Sequence, residues 1–457
     1  MLILQLLLIS SSIWKSRGMP ITRSLSSFAG VGVTSILPIP KTQVVLPDDD
    51  IGTDISDGSE EDNLLSFYVG TKRGLMKKIT INANSETHND DAVHIECIEE
   101  EEEADGSKRK TPYPIFSMMS LSTHHHEVVL SGSGDRYVTM WEHRKQQYPG
   151  DESVSSSWRI KAKLGPHTGW VKDLASSISP YLDSNVDDPD NIEEEETFIF
   201  SIGCNCIEVW RAVNGESYDH VHKLMIDSSV EMGSTLSSDI LCLATSPSYQ
   251  QSTQQTSSEK GKQQYHHSYY LLAGGVDGRI HKWTICNNSF HNAEVVCAPG
   301  HNGRVNALLV CNDLRAAVSI GHDGLVKCWK LDCKENLIGR SVRSINVNDD
   351  GYIVQEASSD EASTIKLTCS CILDEKQDLA IIGIGTACGK VLLAEISKRA
   401  DDDATMSITL LTERATVESS LGGCIIHSIA SQNHNIIIGH SKGISIWEPD
   451  LHAINTS

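Results

Sequence analysis

The chain has 457 residues, with 61 Asp and Glu against 38 Lys and Arg and a formal charge of −23. Phosphate affinity comes mainly from Lys and Arg, so this balance argues against direct binding to nucleic acid. Length alone would allow two or three domains, but a repeat running through the chain overrides that division.

The first stretch, MLILQLLLISSSIW, is apolar but shorter than the ~18 residues of a spanning helix, so no membrane span is expected. As a secretory signal it lacks a basic region ahead of its apolar run, and Lys15 and Arg17 follow it instead. Residues 1–18 therefore read as an extension outside the fold, either a targeting peptide or a segment ahead of a true start at Met19.

From there the chain spells one unit again and again: an apolar strand, a short Gly or polar turn, then an alternating strand. The unit is a β-hairpin. In chain order it appears as VGTKRGLMKKI (Val69 to Ile79), SGSGDRYVTMW (Ser131 to Trp141), SIGCNCIEVW (Ser201 to Trp210) and AGGVDGRIHKW (Ala273 to Trp283). It continues as SIGHDGLVKCW (Ser319 to Trp329), IGTACGKVLLA (Ile384 to Ala394) and IGHSKGISIW (Ile438 to Trp447). The second, fourth and fifth copies share an Asp in the turn and a terminal Trp; the first and sixth replace the Trp with smaller apolar residues. A further apolar run precedes several copies, opened by a Gly-His-like element in GPHTGWVKDL (Gly165 to Leu174) and GHNGRVNALL (Gly300 to Leu309).

Between these units lie polar stretches at about 41–63, 99–112, 178–196 and 248–267. Their low hydrophobicity and high charge make disorder the expected state. Most of the surplus acid sits in them, so net charge describes the insertions more than the folded part.

The Gly-His element and the Trp-ended hairpin together resemble the WD-repeat family, and the resemblance spans most of the chain from about Pro20. It implies an all-β fold: a single seven-bladed β-propeller over 19–457 with the polar stretches as insertions. The last hairpin ends at Trp447 with too little chain left for an outer strand, so residues Pro20 to Ser27 are expected to supply it and close the ring.

The fifth copy raises a question of chemistry, because Ser319, His322 and Asp323 crowd one turn. In the family a blade is latched by His, Ser or Thr, Asp and Trp, and the resemblance puts His301, Ser319, Asp323 and Trp329 in those places, with His322 outside them. A buried indole N–H needs an acceptor, which favours an architectural reading over a catalytic one. Other copies are expected to be partial: His167 and Ser201 with Asn205 in the third, Ser131, Asp135 and Trp141 without a His in the second, and Ala273 in place of a hydroxyl in the fourth.

No catalytic residue, cofactor or metal is expected. The 13 cysteines include Cys204/Cys206 and Cys369/Cys371, C-x-C pairs within β patterns rather than the C-x-x-C of a zinc ribbon, and His124 to His126 fall in a connecting turn. Reduced-looking cysteines favour an intracellular protein, in cytoplasm or nucleus. The expected function is a non-enzymatic scaffold for protein partners. In WD-repeat rings the turns between second and third strands share a rim with the loops leading into first strands, which would gather Lys72, Arg73, Arg136, Arg279, Arg304, Lys390 and Lys442 with Trp170 and His322. Such a rim suits an acidic or phosphorylated peptide. The alternative rests on LSGSGDRYVTMWEHR, which resembles the box of substrate receptors of cullin-4 ubiquitin ligases; Trp141, Glu142 and Arg144 would then contact the ligase adaptor.

Overall fold

A computed structural model of the chain describes residues 22–24, 32–39, 64–82, 93–98, 113–122, 127–147, 154–178, 196–213, 217–226, 239–246, 249–251, 266–286, 288–331, 346–347, 353–354, 366–398, 406–411, 424–433 and 435–449. The N-terminal extension 1–18, His124 to His126 and most of the four polar stretches lie outside the described residues. Among the described residues every regular element is a strand.

The strands form seven antiparallel sheets, the blades, and one isolated two-residue ladder of Asn346–Val347 with Ile353–Val354. The first strands of blades one to seven are Val33–Pro38, Ile115–Ser122, Leu174–Ile178, Ile240–Thr245, Val305–Cys311, Leu367–Lys376 and Ile426–Gln432. Each packs on the first strand of the next blade, and the seventh packs on the first, so these strands encircle the axis. Every predicted hairpin supplies the second and third strands of one blade. Blade five has three strands among the described residues.

Strand alternation explains how the ring holds together. In Ala316–Gly321, the second strand of blade five, every residue is buried. Ala316, Val318 and Ile320 point toward blade six, while Ala317 points toward blade four with Trp329. A strand buried on both faces needs apolar residues at both parities. The result is seven apolar clusters, one at each junction between neighbouring blades, including one where Ile437, Ile444 and Ile446 of blade seven meet Val33, Phe67 and Ile79 of blade one. No single core exists; the hydrophobic stabilisation is distributed around the circle.

Closure follows the expected route. Strand Thr22–Ser24 runs antiparallel beside Gly443–Trp447, pairing Thr22 with Trp447 and Ser24 with Ser445. Polar contacts reinforce the same seam: Ile36 N–H donates to Ser428 Oγ at 3.0 Å, and Gln432 accepts from Ser66 N–H at 3.1 Å while donating to the Ile39 carbonyl at 2.6 Å.

One polar stretch departs from expectation. Residues Tyr249–Gln251 form a short strand against His266–Ser268, extending the long second strand of blade four. The expected disorder therefore does not begin at 248: a β-compatible Tyr followed by an unpaired ladder edge gains backbone hydrogen bonds before the polar run takes over.

Candidate rim interface and the latch beneath it

One face of the ring is built from a repeated backbone contact. In six of the seven blades the first residue past the second strand donates its N–H to the carbonyl just ahead of the first strand of its own blade. The pairs are Lys72 to Gly32 at 3.0 Å, Gly134 to Pro114 at 3.1 Å, Val276 to Asp239 at 2.8 Å, His322 to Arg304 at 2.9 Å, Ala387 to Lys366 at 2.9 Å and Ser441 to Ile425 at 3.0 Å. Further bonds step to the following blade, from His167 N–H to Arg136 O at 2.9 Å, Ile240 to Cys204 at 2.8 Å and His301 to Gly278 at 2.8 Å. Turns and leading loops thus lie together on one face of the ring, a girdle that bonds from blade to blade between blades two and five.

Beneath it lies the fifth-blade latch. His301 Nε2 meets Ser319 Oγ at 2.7 Å, His301 Nδ1 meets Asp323 Oδ1 at 2.9 Å, and Trp329 Nε1 donates to Ser319 Oγ at 2.8 Å. This connectivity matches a Ser-His-Asp triad, so connectivity alone cannot decide the question. Access decides it. Ser319 is 0% exposed and its oxygen already accepts from the indole, leaving no room for an attacked carbonyl. Gly321 is required here, because a Cβ would strike His301 Nδ1 and Asp323 Oδ1. Burial pushes the Asp323 carboxyl up, but the His301 hydrogen bond and charge and the N–H groups of Asn302 and Leu325 outweigh it and hold the group below its ordinary value.

The other latches are partial in the expected places. In blade three His167 Nε2 meets Ser201 Oγ at 2.7 Å and Trp210 donates to the same oxygen at 2.9 Å, while His167 Nδ1 finds the Arg136 carbonyl at 3.0 Å instead of an Asp. In blade two Trp141 donates to Ser131 Oγ at 3.0 Å. In blade seven the buried Trp447 Nε1 has no partner among the described residues, because Ile438 stands where a serine would accept it.

Comparison with protein-family models returns no match, and comparison with curated proteins returns none. Among solved structures the chain is similar to U3-55K, at 12% identity over 93% of this chain and 98% of that one, with a TM-score of 0.50. It is also similar to the WD40 repeats of RRP9, at 12% identity, 94% and 97% coverage and a TM-score of 0.49. A third likeness is to the WD40 beta propeller domain of Doa1, at 13% identity, 94% and 96% coverage and a TM-score of 0.46. The fold is a seven-bladed β-propeller.

On the girdle of this propeller, Lys72, Arg73, Arg136, Arg304 and Lys442 are exposed, and Arg279, His322 and Lys390 are half-buried. Arg136 occupies a left-handed turn position at φ 72°. The Arg279 Nε lies 3.9 Å from Asp277, which tempers its charge. Trp170 is 56% exposed, and its ring lies over Phe116 with centroids 5.6 Å apart and planes 21° from parallel. Its loop is pinned by Asp173, which accepts from Leu174 N–H at 2.9 Å and Leu243 N–H at 2.8 Å; burial raises this carboxyl to about 7 despite both donors.

The box residues on the third strand of blade two are held within the blade. Glu142 is buried and accepts from Arg159 Nη2 at 2.6 Å and Lys161 Nζ at 3.2 Å, Trp141 is engaged with Ser131, and Arg144 pairs its backbone with Ser157.

Sequence reasoning missed a ring of residues at the channel mouth. In six blades the first strand skips one residue of register immediately after its opening aliphatic, placing Thr34, Phe116, Leu241, Asn306, Thr368 and His427 at equivalent bulges. A bulge re-aims a side chain out of the ladder. The signal was present in VTS, IFS, ILC, VNA, LTC and IHS: aliphatic, any residue, then Ser, Cys or Ala. Lys366 was missed for a related reason, since it holds the place of Arg304 in a blade whose leading loop lacks Gly-His.

Proposed function

We propose that the protein is a non-enzymatic scaffold that assembles protein partners on the girdle face, and that an acidic or phosphorylated peptide lies across it. The observation that carries this reading is the series of turn-to-loop backbone bonds, which brings cations from separate blades onto one face. Trp170, stacked on Phe116 and largely exposed, is the apolar anchor. Arg136 and Arg304, with Arg279, Lys366, Lys390 and Lys442 around the same circle, supply charge-assisted hydrogen bonds. A net negative chain that concentrates cations here steers an acidic ligand to one place.

The test is charge reversal. Arg304→Glu combined with Arg279→Glu should abolish the salt-sensitive partners that the wild-type chain recovers from cells, as read by proximity labelling. Arg144→Ala should leave those partners in place. Retention in the double variant with loss on Arg144→Ala would transfer the assignment to a cullin-4-type ligase receptor docking through Trp141, Glu142 and Arg144.

A further inference from the structure

Asn302 and Gly303 stand side by side in the loop leading into the first strand of blade five, directly ahead of Arg304. An Asn-Gly step carries its own reactants. The backbone nitrogen of the second residue can close a five-membered ring on the side-chain carbonyl carbon of the first, and a glycine has no Cβ to obstruct the turn this needs. Three conditions decide whether a fold permits it: the carboxamide must be free, the attacking N–H must not be held by an acceptor, and the backbone must have room to turn.

All three are met here. Asn302, Gly303 and Arg304 are exposed. Among the described residues the Asn302 carboxamide makes no hydrogen bond and the Gly303 N–H donates none. Gly303 lies in the left-handed region at φ 122°, and a Cβ added to it would meet only His322 Cβ, at 3.9 Å. The base of the loop is fixed, since Asn302 N–H donates to Asp323 Oδ2 at 2.8 Å and His301 is buried in the latch. Comparable steps elsewhere on the girdle are shut. Asp277–Gly278 and Asp323–Gly324 have the same spacing, but Gly278 N–H donates to Gly275 O and Gly324 N–H to Gly321 O, each at 3.3 Å. Their carboxylates are also engaged, Asp277 Oδ1 by Arg279 N–H at 3.0 Å and Asp323 Oδ1 by Leu325 N–H at 3.2 Å, and an ionised carboxylate is a poor electrophile. In the matching loop of blade three Thr168 stands in the place of Asn302 and donates its hydroxyl to the Gly203 carbonyl at 2.7 Å. Asn302–Gly303 is the one Asn-Gly step among the described residues.

We propose that Asn302 is a site of spontaneous deamidation, which places a new carboxylate on the girdle beside Arg304 and weakens its hold on acidic partners as the protein ages. Hydroxide removes the Gly303 amide proton, the nitrogen attacks Asn302 Cγ, and the side-chain amide leaves as ammonia, taking its proton from water. Water then opens the resulting succinimide at one carbonyl or the other, leaving aspartate or isoaspartate at 302. One carboxamide and one water give one carboxylate and one ammonium ion, with no change of oxidation state. The chemistry stands alone; its effect on partners rests on the reading of the girdle as an acidic-peptide surface.

Peptide mapping by mass spectrometry tests the chemistry on the full chain, held at body temperature in mildly alkaline buffer and sampled over days, beside a synthetic peptide spanning Pro299 to Asn306. Conversion at 302 should run within about tenfold of the rate in the peptide, so that folding adds little to the barrier. It should rise in proportion to hydroxide and yield isoaspartate in excess of aspartate. Asn302→Gln, whose longer side chain disfavours ring closure, should abolish it. Slower conversion than this, or isoaspartate at Asp323 forming as fast as at Asn302, would overturn the proposal whatever the girdle binds. Proximity labelling in cells then reads the effect on partners. Asn302→Asp should recover severalfold less of the salt-sensitive partners than Asn302→Gln, whereas Asn302→Lys, of opposite charge, should recover at least as much as Asn302→Gln. Equal recovery from all three variants, or a common loss in the Asp and Lys variants, would overturn the effect on binding. If Arg304→Glu with Arg279→Glu loses no partner, the girdle reading fails and takes that effect with it, while conversion at Asn302 stands or falls by its own measurement.

Discussion

Blade five and blade seven end on the same Trp and satisfy it in opposite ways. Trp329 donates to Ser319, which is held by His301, which is held by Asp323. Trp447 is equally buried and its N–H meets no acceptor among the described residues. Blade five is made from one continuous stretch and carries its own latch, whereas blade seven borrows a strand from the other end of the chain and is fixed by what lies across the seam. Local hydrogen bonding and ring closure are thus alternative means of holding a blade, and these two blades each rely on a different one.

The harshest way to break the comparison is to remove the borrowed strand. A chain beginning at Ser35 should lose cooperative thermal unfolding, since blade seven would keep an open edge; a melt unchanged from wild type would show that the strand is dispensable. Next comes the latch. Asp323→Ala should cost about 1–3 kcal/mol, the penalty of leaving buried donors unmet, as read by denaturant unfolding. Loss of binding at unchanged stability would instead return the Ser-His-Asp constellation to a functional role.

Paired substitutions sharpen the contrast. Trp329→Phe removes one of the two hydrogen bonds of the Ser319 hydroxyl, whereas Trp447→Phe deletes a nitrogen without a partner among the described residues, so the second should be milder by about 1 kcal/mol in parallel melts. Acid should separate the blades by pH window. His427 is held below its unfolded value, so the unfolded chain binds the extra proton first, and stability falls as pH drops from the ordinary His range toward about 4. Asp323 is also depressed, but its contribution is complete above the unfolded carboxylate value and is lost only as pH falls through that lower range. His427→Gln should therefore flatten the mildly acidic limb of a stability–pH curve, and Asp323→Asn only the strongly acidic one. The smallest effect belongs to the insertion of blade four: deleting Ser252 to Gln264, which spares the strand Tyr249–Gln251, should be nearly neutral, because closure entropy varies slowly with loop length. A large loss of soluble protein would mean that the segment packs on the ring.

Much of this architecture could be read from the residues. Period-two alternation and the Trp-ended turns give the hairpins, and His301, Ser319, Asp323 and Trp329 fall together because each is fixed in the repeat frame. What escaped depends on geometry that residue type does not encode. The bulge that re-aims His427 is a one-residue slip of register, and the charge of Lys72 acts on His427 only because the two ends of the chain close on each other. Tyr249–Gln251 escaped because composition averaged over a polar run hides three residues that join a ladder.

The pairing of Thr22 with Trp447 also sets an order of events during synthesis. Thr22–Ser24, the first of the described strands, has no partner until the final hairpin has emerged. Even the polar seam contact of Ile36 with Ser428 spans 392 residues of chain. Each intermediate length of nascent chain therefore carries an unpaired edge at its front, and the fold completes in a single late step. Through all that time the edge is open to pairing with other strands, a liability that ends only when the ring closes.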